Sequence, residues 1–206
     1  AYSAFVMGEL GGRRQLIGYD SASLGGWNPA TGERFWEHVP REGSDFNVTT
    51  PLIHDGQLLL ATENNATRLH GFLPNGKIDP KPALANNSLA PDTCSPVIVG
   101  DRVFATAYGE MYCLNLKDGM KTVWVAEDDM FFDHTNVIGG NGRVLAWANS
   151  GDLLLLDAAA DEFKPLSRLR PFGDGKVDSM SHPAIAGNRL YLRGPSELAC
   201  FKLGGD

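Results

Sequence analysis

Pro96-Val97-Ile98-Val99-Gly100-Asp101-Arg102-Val103-Phe104-Ala105 reads as two β-strands joined by a two-residue turn. Four other stretches repeat this pattern: Ser3 to Ile17, Pro51 to Leu60, Val137 to Ala146 and Pro183 to Leu192. Aligning Ala4, Pro51, Pro96, Asn136 and Pro183 gives steps of 47, 45, 40 and 47 residues. Short strands and tight turns recurring at that period are the signature of propeller blades. Downstream of the opening pair, Met111 to Leu116 reads as a third strand and Thr122 to Ala126 as an outer one. The first module matches, with Gln15 to Tyr19, Ser23 to Trp27 and Arg34 to Val39 after an inner strand at Tyr2 to Met7. The fourth runs Arg143 to Ala148, Asp152 to Asp157 and Phe163 to Leu169. No segment carries a sustained 3.6-residue apolar period, so the chain is all-β.

The expected organisation is one β-propeller over residues 1–206 with about five four-stranded blades. Their approximate bounds are 1–44, 45–90, 91–130, 131–176 and an incomplete 177–206. The last module shows no outer strand, and a closed propeller ordinarily completes its final blade from the other terminus, because open edges invite aggregation. The expectation is therefore the C-terminal portion of a propeller with seven or eight blades. Pro74 to Pro91 reads as the longest loop, and Pro171 to Ser181 as another.

Bulk properties narrow the function classes. A net charge of −7, with scattered Lys and Arg, argues against a nucleic-acid partner, which needs a concentrated basic surface. No apolar run reaches the roughly 20 residues of a membrane-spanning helix. The three cysteines, Cys94, Cys113 and Cys200, have no metal-ligand spacing. Cys113 and Cys200 occupy equivalent strand positions and read as buried structural thiols. Lipase, phosphate-loop and zinc-protease motifs are absent from the sequence.

Gly26-Trp27-Asn28-Pro29-Ala30-Thr31-Gly32-Glu33-Arg34-Phe35-Trp36 is more specific. It resembles the tryptophan-docking motif of the pyrroloquinoline-quinone (PQQ) repeat propellers, Ala-x-Asp-x-x-Thr-Gly-x-x-x-Trp. Cys113 to Gly119, ending at Trp124, is a looser second copy. The resemblance implies that Gly32 and Gly119 make turns and that Trp36 and Trp124 pack between blades. In one branch of that family, quinoprotein dehydrogenases bind PQQ and calcium on the axis, using an adjacent Cys-Cys pair, a stacking Trp and an Asp base. A second branch, similar to the outer-membrane assembly lipoprotein of Gram-negative bacteria, binds no PQQ and works as a scaffold.

The residues before each inner strand are expected near the mouth of the central channel. These are Asp45 and Asn47, Asp92 and Thr93, Asp133 and His134, and Asp178 and His182. Asp92, Asp133, His134, Asp178 and His182 are the binding candidates, since oxygen and imidazole ligands there could hold Ca²⁺ or a transition ion. The plainer reading makes them turn formers on a solvated rim. Glu127-Asp128-Asp129 before Met130-Phe131-Phe132 reads as a solvated turn leading into a buried strand.

The expected function is a non-catalytic scaffold, periplasmic or secreted, that binds a protein partner or an envelope component and needs no cofactor. Two alternatives stand beside it: a fragment of a PQQ- and Ca-dependent quinoprotein dehydrogenase, and a glycan- or peptide-binding propeller.

Overall fold

The computed structural model describes residues 2–132, 134–175, 177–178 and 180–204. Five antiparallel sheets follow one another along the chain, each built from consecutive strands in plain up-and-down order. The first holds β1 (Val6–Leu10), β2 (Arg13–Tyr19), β3 (Leu24–Trp27) and β4 (Arg34–His38). The second holds β5 (Leu52–His54), β6 (Gln57–Thr62), β7 (Ala66–His70) and β8 (Leu84–Asn86). The third comprises β9 (Val97–Val99), β10 (Arg102–Ala107), β11 (Glu110–Asn115) and β12 (Lys121–Glu127). The fourth comprises β13 (Thr135–Gly140), β14 (Arg143–Ala148), β15 (Leu153–Asp157) and β16 (Pro165–Leu169). The fifth has three strands among the described residues, β17 (Ala184–Ala186), β18 (Arg189–Arg193) and β19 (Leu198–Lys202). This is a β-propeller. No helix among the described residues is long and apolar enough to cross a membrane.

The core lies between sheets, because alternate residues of a strand face opposite neighbours. In β6, Leu58 and Leu60 join Leu10, Ile17, Leu24 and Trp36 of the first sheet, while Leu59 turns to Val103, Phe104 and Leu114 of the third. In β14, Val144, Ala146 and Ala148 face the third sheet, and Trp147 faces Leu190 and Leu192 of the fifth. A one-residue slip would exchange these sets, so burial on both faces pins the register.

The third and outer strands share a further device. The ladder shifts between Gly26 and Trp27, between Cys113 and Leu114, and between Leu155 and Leu156. Each bulge leaves one outer-strand residue without a partner: Phe35, Val123 and Leu166. A bulge re-aims the side chains beside it. Trp36 stands opposite Gly26, meets Phe72 just beyond β7 edge-on at 5.7 Å, and donates from Nε1 to Gln15 Oε1 at 2.6 Å. Trp124 stands opposite Cys113, meets Phe163 beyond the third sheet edge-on at 5.6 Å, and donates to the Ala160 carbonyl at 3.3 Å. Gly32 (φ 74°) and Gly119 (φ 66°) hold the left-handed conformation in the turns before these strands.

Three expectations need correction. The first inner strand is Val6–Leu10 rather than Tyr2 to Met7: the Tyr2 and Ser3 amides donate to the Asn47 carbonyl, which ties that segment to the next blade's linker. The stretch from Pro74 to Pro91 is not all loop, because Leu84–Asn86 pairs with β7 despite the flanking prolines. Cys94 and Cys113 are buried, but Cys200 is exposed, because no fourth strand flanks β19 among the described residues.

Candidate functional site

Strand direction sorts the loops into two faces. Each inner strand runs away from the incoming link, the second returns, and the outer strand returns again. The links between sheets and the hairpins joining second to third strands therefore share one face, here called the loop face. Hydrogen bonds at that end agree: the Asn64 amide donates to Asp45 at 2.8 Å, and the Asn149 amide to the His134 carbonyl at 2.9 Å. Among the described residues, Tyr2, Val39, Phe46, Tyr108, Phe132, Leu169, Met180 and Leu198 are the large apolar side chains exposed by 58% or more. All eight lie at the loop face. Six of them, all but Leu169 and Leu198, sit in irregular segments, where periodicity is silent; for Tyr2, Phe46, Phe132 and Met180 the signal is an aromatic or Met placed just before a repeat begins.

The described rim candidates belong to the same face. Asp92 and His134 line a cleft of about 510 Å³ with Tyr108, Phe131 and Phe132. Asp178 lies in a separate cleft of about 490 Å³ beside Met180 and Arg193. The His182 imidazole is held below its ordinary pKa by partial desolvation first and by His134 second. Asp133 lies outside the described residues. Asp45 and Asn47 are absorbed structurally: Asp45 accepts from the Asn64 amide and from Asn65 Nδ2, and Asn47, left-handed at φ 51°, receives the Tyr2 and Ser3 amides. The acidic run is also accounted for, because Asp128 caps a 3-10 turn at Asp129–Phe131 and pairs with Arg168 at 2.5 Å. Met130 and Phe131 are buried, which leaves Phe132 outermost.

PQQ and calcium, which the sequence resemblance brings with it, find no matching donors among the described residues. The three cysteines are far apart in sequence and free. Among the described residues no three or more His, Cys, Asp or Glu side chains converge as metal ligands. The described residues do not fit the group.

A second polar cluster lies between the first two sheets, where sequence reasoning placed nothing. Arg68 and His70 alternate with Thr67 and Leu69 on β7, so they share the face turned toward β4. The His38 and His70 rings stand 5.0 Å apart. Burial, then the charges of His70 and Arg68, pushes the His38 pKa down to about 4. His70 is lowered too, chiefly by burial, and Tyr19 beside Arg68 is raised by burial. The available signal was two ionisable residues at i and i+2 in a strand buried on both faces.

These histidines make stability pH-dependent. Their folded pKa values lie below the unfolded value near 6.5, so the unfolded chain binds protons first as pH falls. The contribution is intact above about pH 6.5 and is lost as pH drops toward about 4. Thermal melts should show the melting temperature falling across that window, with the fall reduced in His38→Gln. A profile flat from pH 7 to pH 4 contradicts the burial of these rings.

No family model matches the sequence, and no curated protein matches it. Among solved structures the fold is similar to BamB from Moraxella catarrhalis, with a TM-score of 0.60 at 15% identity. The match covers 97% of this chain and 63% of that one, so this chain spans less than two thirds of that protein's length. At such identity the likeness is one of fold.

Proposed function

We propose that the chain is a non-catalytic propeller module whose loop face docks a protein partner in the bacterial envelope. One observation carries this reading. The most exposed large apolar side chains lie on one face rather than being divided between both, and exposed apolar side chains concentrated on one face mark it as an interaction surface. Aromatic anchors such as Phe132 and Phe46 are of the type that dominates interface energetics. The opposite face carries far less: Leu73 and Leu203, at its loops, are 37% and 38% exposed. The fold shared with BamB and the sequence resemblance to the scaffold branch support the envelope setting.

The test uses immobilised protein challenged with a bacterial envelope extract. Wild type should retain a defined partner that a Phe132→Ser/Met180→Ser double variant loses about tenfold. Both sites are exposed, so the melting temperature should stay within about 2 °C. Equal retention by the two proteins would sink the proposal. So would saturable quenching of tryptophan fluorescence by PQQ with Ca²⁺, which should instead stay flat.

A further inference from the structure

We infer that the cleft between β4 and the outer strands of the second sheet is a binding site for a neutral oligosaccharide. The cleft encloses about 740 Å³, within the range of roughly 300–1,000 Å³ typical of small-molecule pockets. It is lined by His38, Arg68 and His70 at its base, and by Glu42, Glu63 and Tyr108 among the residues around it.

Two buried polar atoms at the base lack partners, and they differ in kind. His70 is 1% exposed, and its Nδ1 lies 2.9 Å from the Asp79 carbonyl, which only accepts. Nδ1 therefore carries the proton, leaving Nε2 as a lone-pair acceptor; it is buried and has no partner. Arg68 donates from Nη2 to Thr62 Oγ1 at 3.1 Å, while its Nε–H, a pure donor, is also buried without a partner. A buried donor or acceptor left unpaired carries an uncompensated desolvation cost, and a ligand that satisfies both recovers it on binding.

The pairing selects the ligand chemistry. An anion would satisfy Arg68 and leave His70 Nε2 facing a lone pair. It would also enter past the Glu63 carboxylate, since the Arg41 charge in the same lining is already paired with Glu42 at 3.4 Å. A cation would satisfy His70 and meet the Arg68 charge. A hydroxyl both donates and accepts, so neighbouring hydroxyls of a neutral sugar serve Nε2 and Nε–H together. Asn64, Asn65, Asn87 and Ser88 offer further two-way partners along the cleft. The Tyr108 ring offers an apolar surface for the C–H face of a pyranose. Tyr108 belongs to both the loop face and this cleft, but Phe132 and Met180 do not line the cleft, so the Phe132→Ser/Met180→Ser variant separates partner docking from sugar binding.

Isothermal titration with maltotriose, cellotriose, mannotriose and N,N′,N″-triacetylchitotriose, with sodium glucuronate as the anionic control, decides the matter. At least one neutral trisaccharide should bind saturably with a dissociation constant below about 10 mM, and glucuronate should not. Arg68→Met and His70→Asn should each weaken binding about tenfold; the Asn variant keeps a donor for the Asp79 carbonyl, so the fold is spared. In wild type, the ¹⁵N resonance of His70 Nε2 should move on titration, a readout that does not depend on any variant folding. Binding by none of the four sugars, binding unchanged in both variants, or preferential binding of glucuronate overturns the inference.

Discussion

Trp124→Ala should lower stability by about 4 kcal/mol, seen as a fall in melting temperature of about 8–16 °C for a chain of this size. The ring is 8% exposed and touches both sides of an interface: Phe104 at 5.9 Å in its own sheet, Phe163 at 5.6 Å beyond it. Truncation opens a cavity that neither sheet can close, since both are held by their own ladders. It also removes the Nε1 donor from the Ala160 carbonyl, although Arg102 still donates there. The packing loss is therefore the larger part. Trp124→Phe should recover more than half of the stability, because most of the apolar volume returns. Hydrogen exchange should quicken in β12 and β15 together in the Ala variant, since one wedge serves both sheets. A fall of less than about 2 °C would mean that the third and fourth sheets are held together elsewhere.

Gly26→Ala should be nearly as damaging, though it adds a single methyl group. Gly26 faces Trp36 across the ladder, and a Cβ there would lie 2.0 Å from Gln15 Oε1 and 2.4 Å from Trp36 Nε1. Those two atoms form a 2.6 Å hydrogen bond in a fully buried setting. The methyl must push them apart, adding about 1–3 kcal/mol of overpacking to about 1–3 kcal/mol for unpaired buried groups. Reduced backbone entropy of the unfolded chain returns less than about 1 kcal/mol, so destabilisation wins. Expected is a loss of about 3–5 kcal/mol in denaturant melts. Adding Gln15→Ala should restore part of it, because the two changes share one contact. Full additivity of the pair would refute this account.

How much was legible depends on whether the evidence for an element is local. The hairpin at Gly100-Asp101 and the strands around it can be read directly, because turn chemistry and alternation coincide there. The first inner strand was misplaced because Tyr2 to Phe5 carries the same apolar pattern as Val6–Leu10. What separates them is the hydrogen bonding of the Tyr2 and Ser3 amides to Asn47, more than 40 residues away. β8 was lost because Lys81, Pro82 and Asn86-Asn87 look like loop, and only its pairing with β7 makes it a strand. The phase of the repeat placed Asp92 and His134 at one end, and both line one cleft. Arg68 and His70 were passed over because a polar residue at every second strand position ordinarily means solvent. Here the first sheet covers that face, with His38 against His70.

The tryptophan wedges also set a schedule for synthesis. Trp36 closes on Phe72, and Trp124 on Phe163. In each case the wedge is translated before its socket, by 36 and 39 residues respectively. At elongation rates of about 5–20 residues per second, each indole waits roughly 2–8 s beside an unfinished neighbour. During that interval a growing chain displays one large aromatic ring at its newest edge, a foothold for chaperones and equally for the same edge of another nascent chain. Slow translation through 37–72 or 125–163 would lengthen that exposure, so codon speed in these two windows bears on the yield of folded protein.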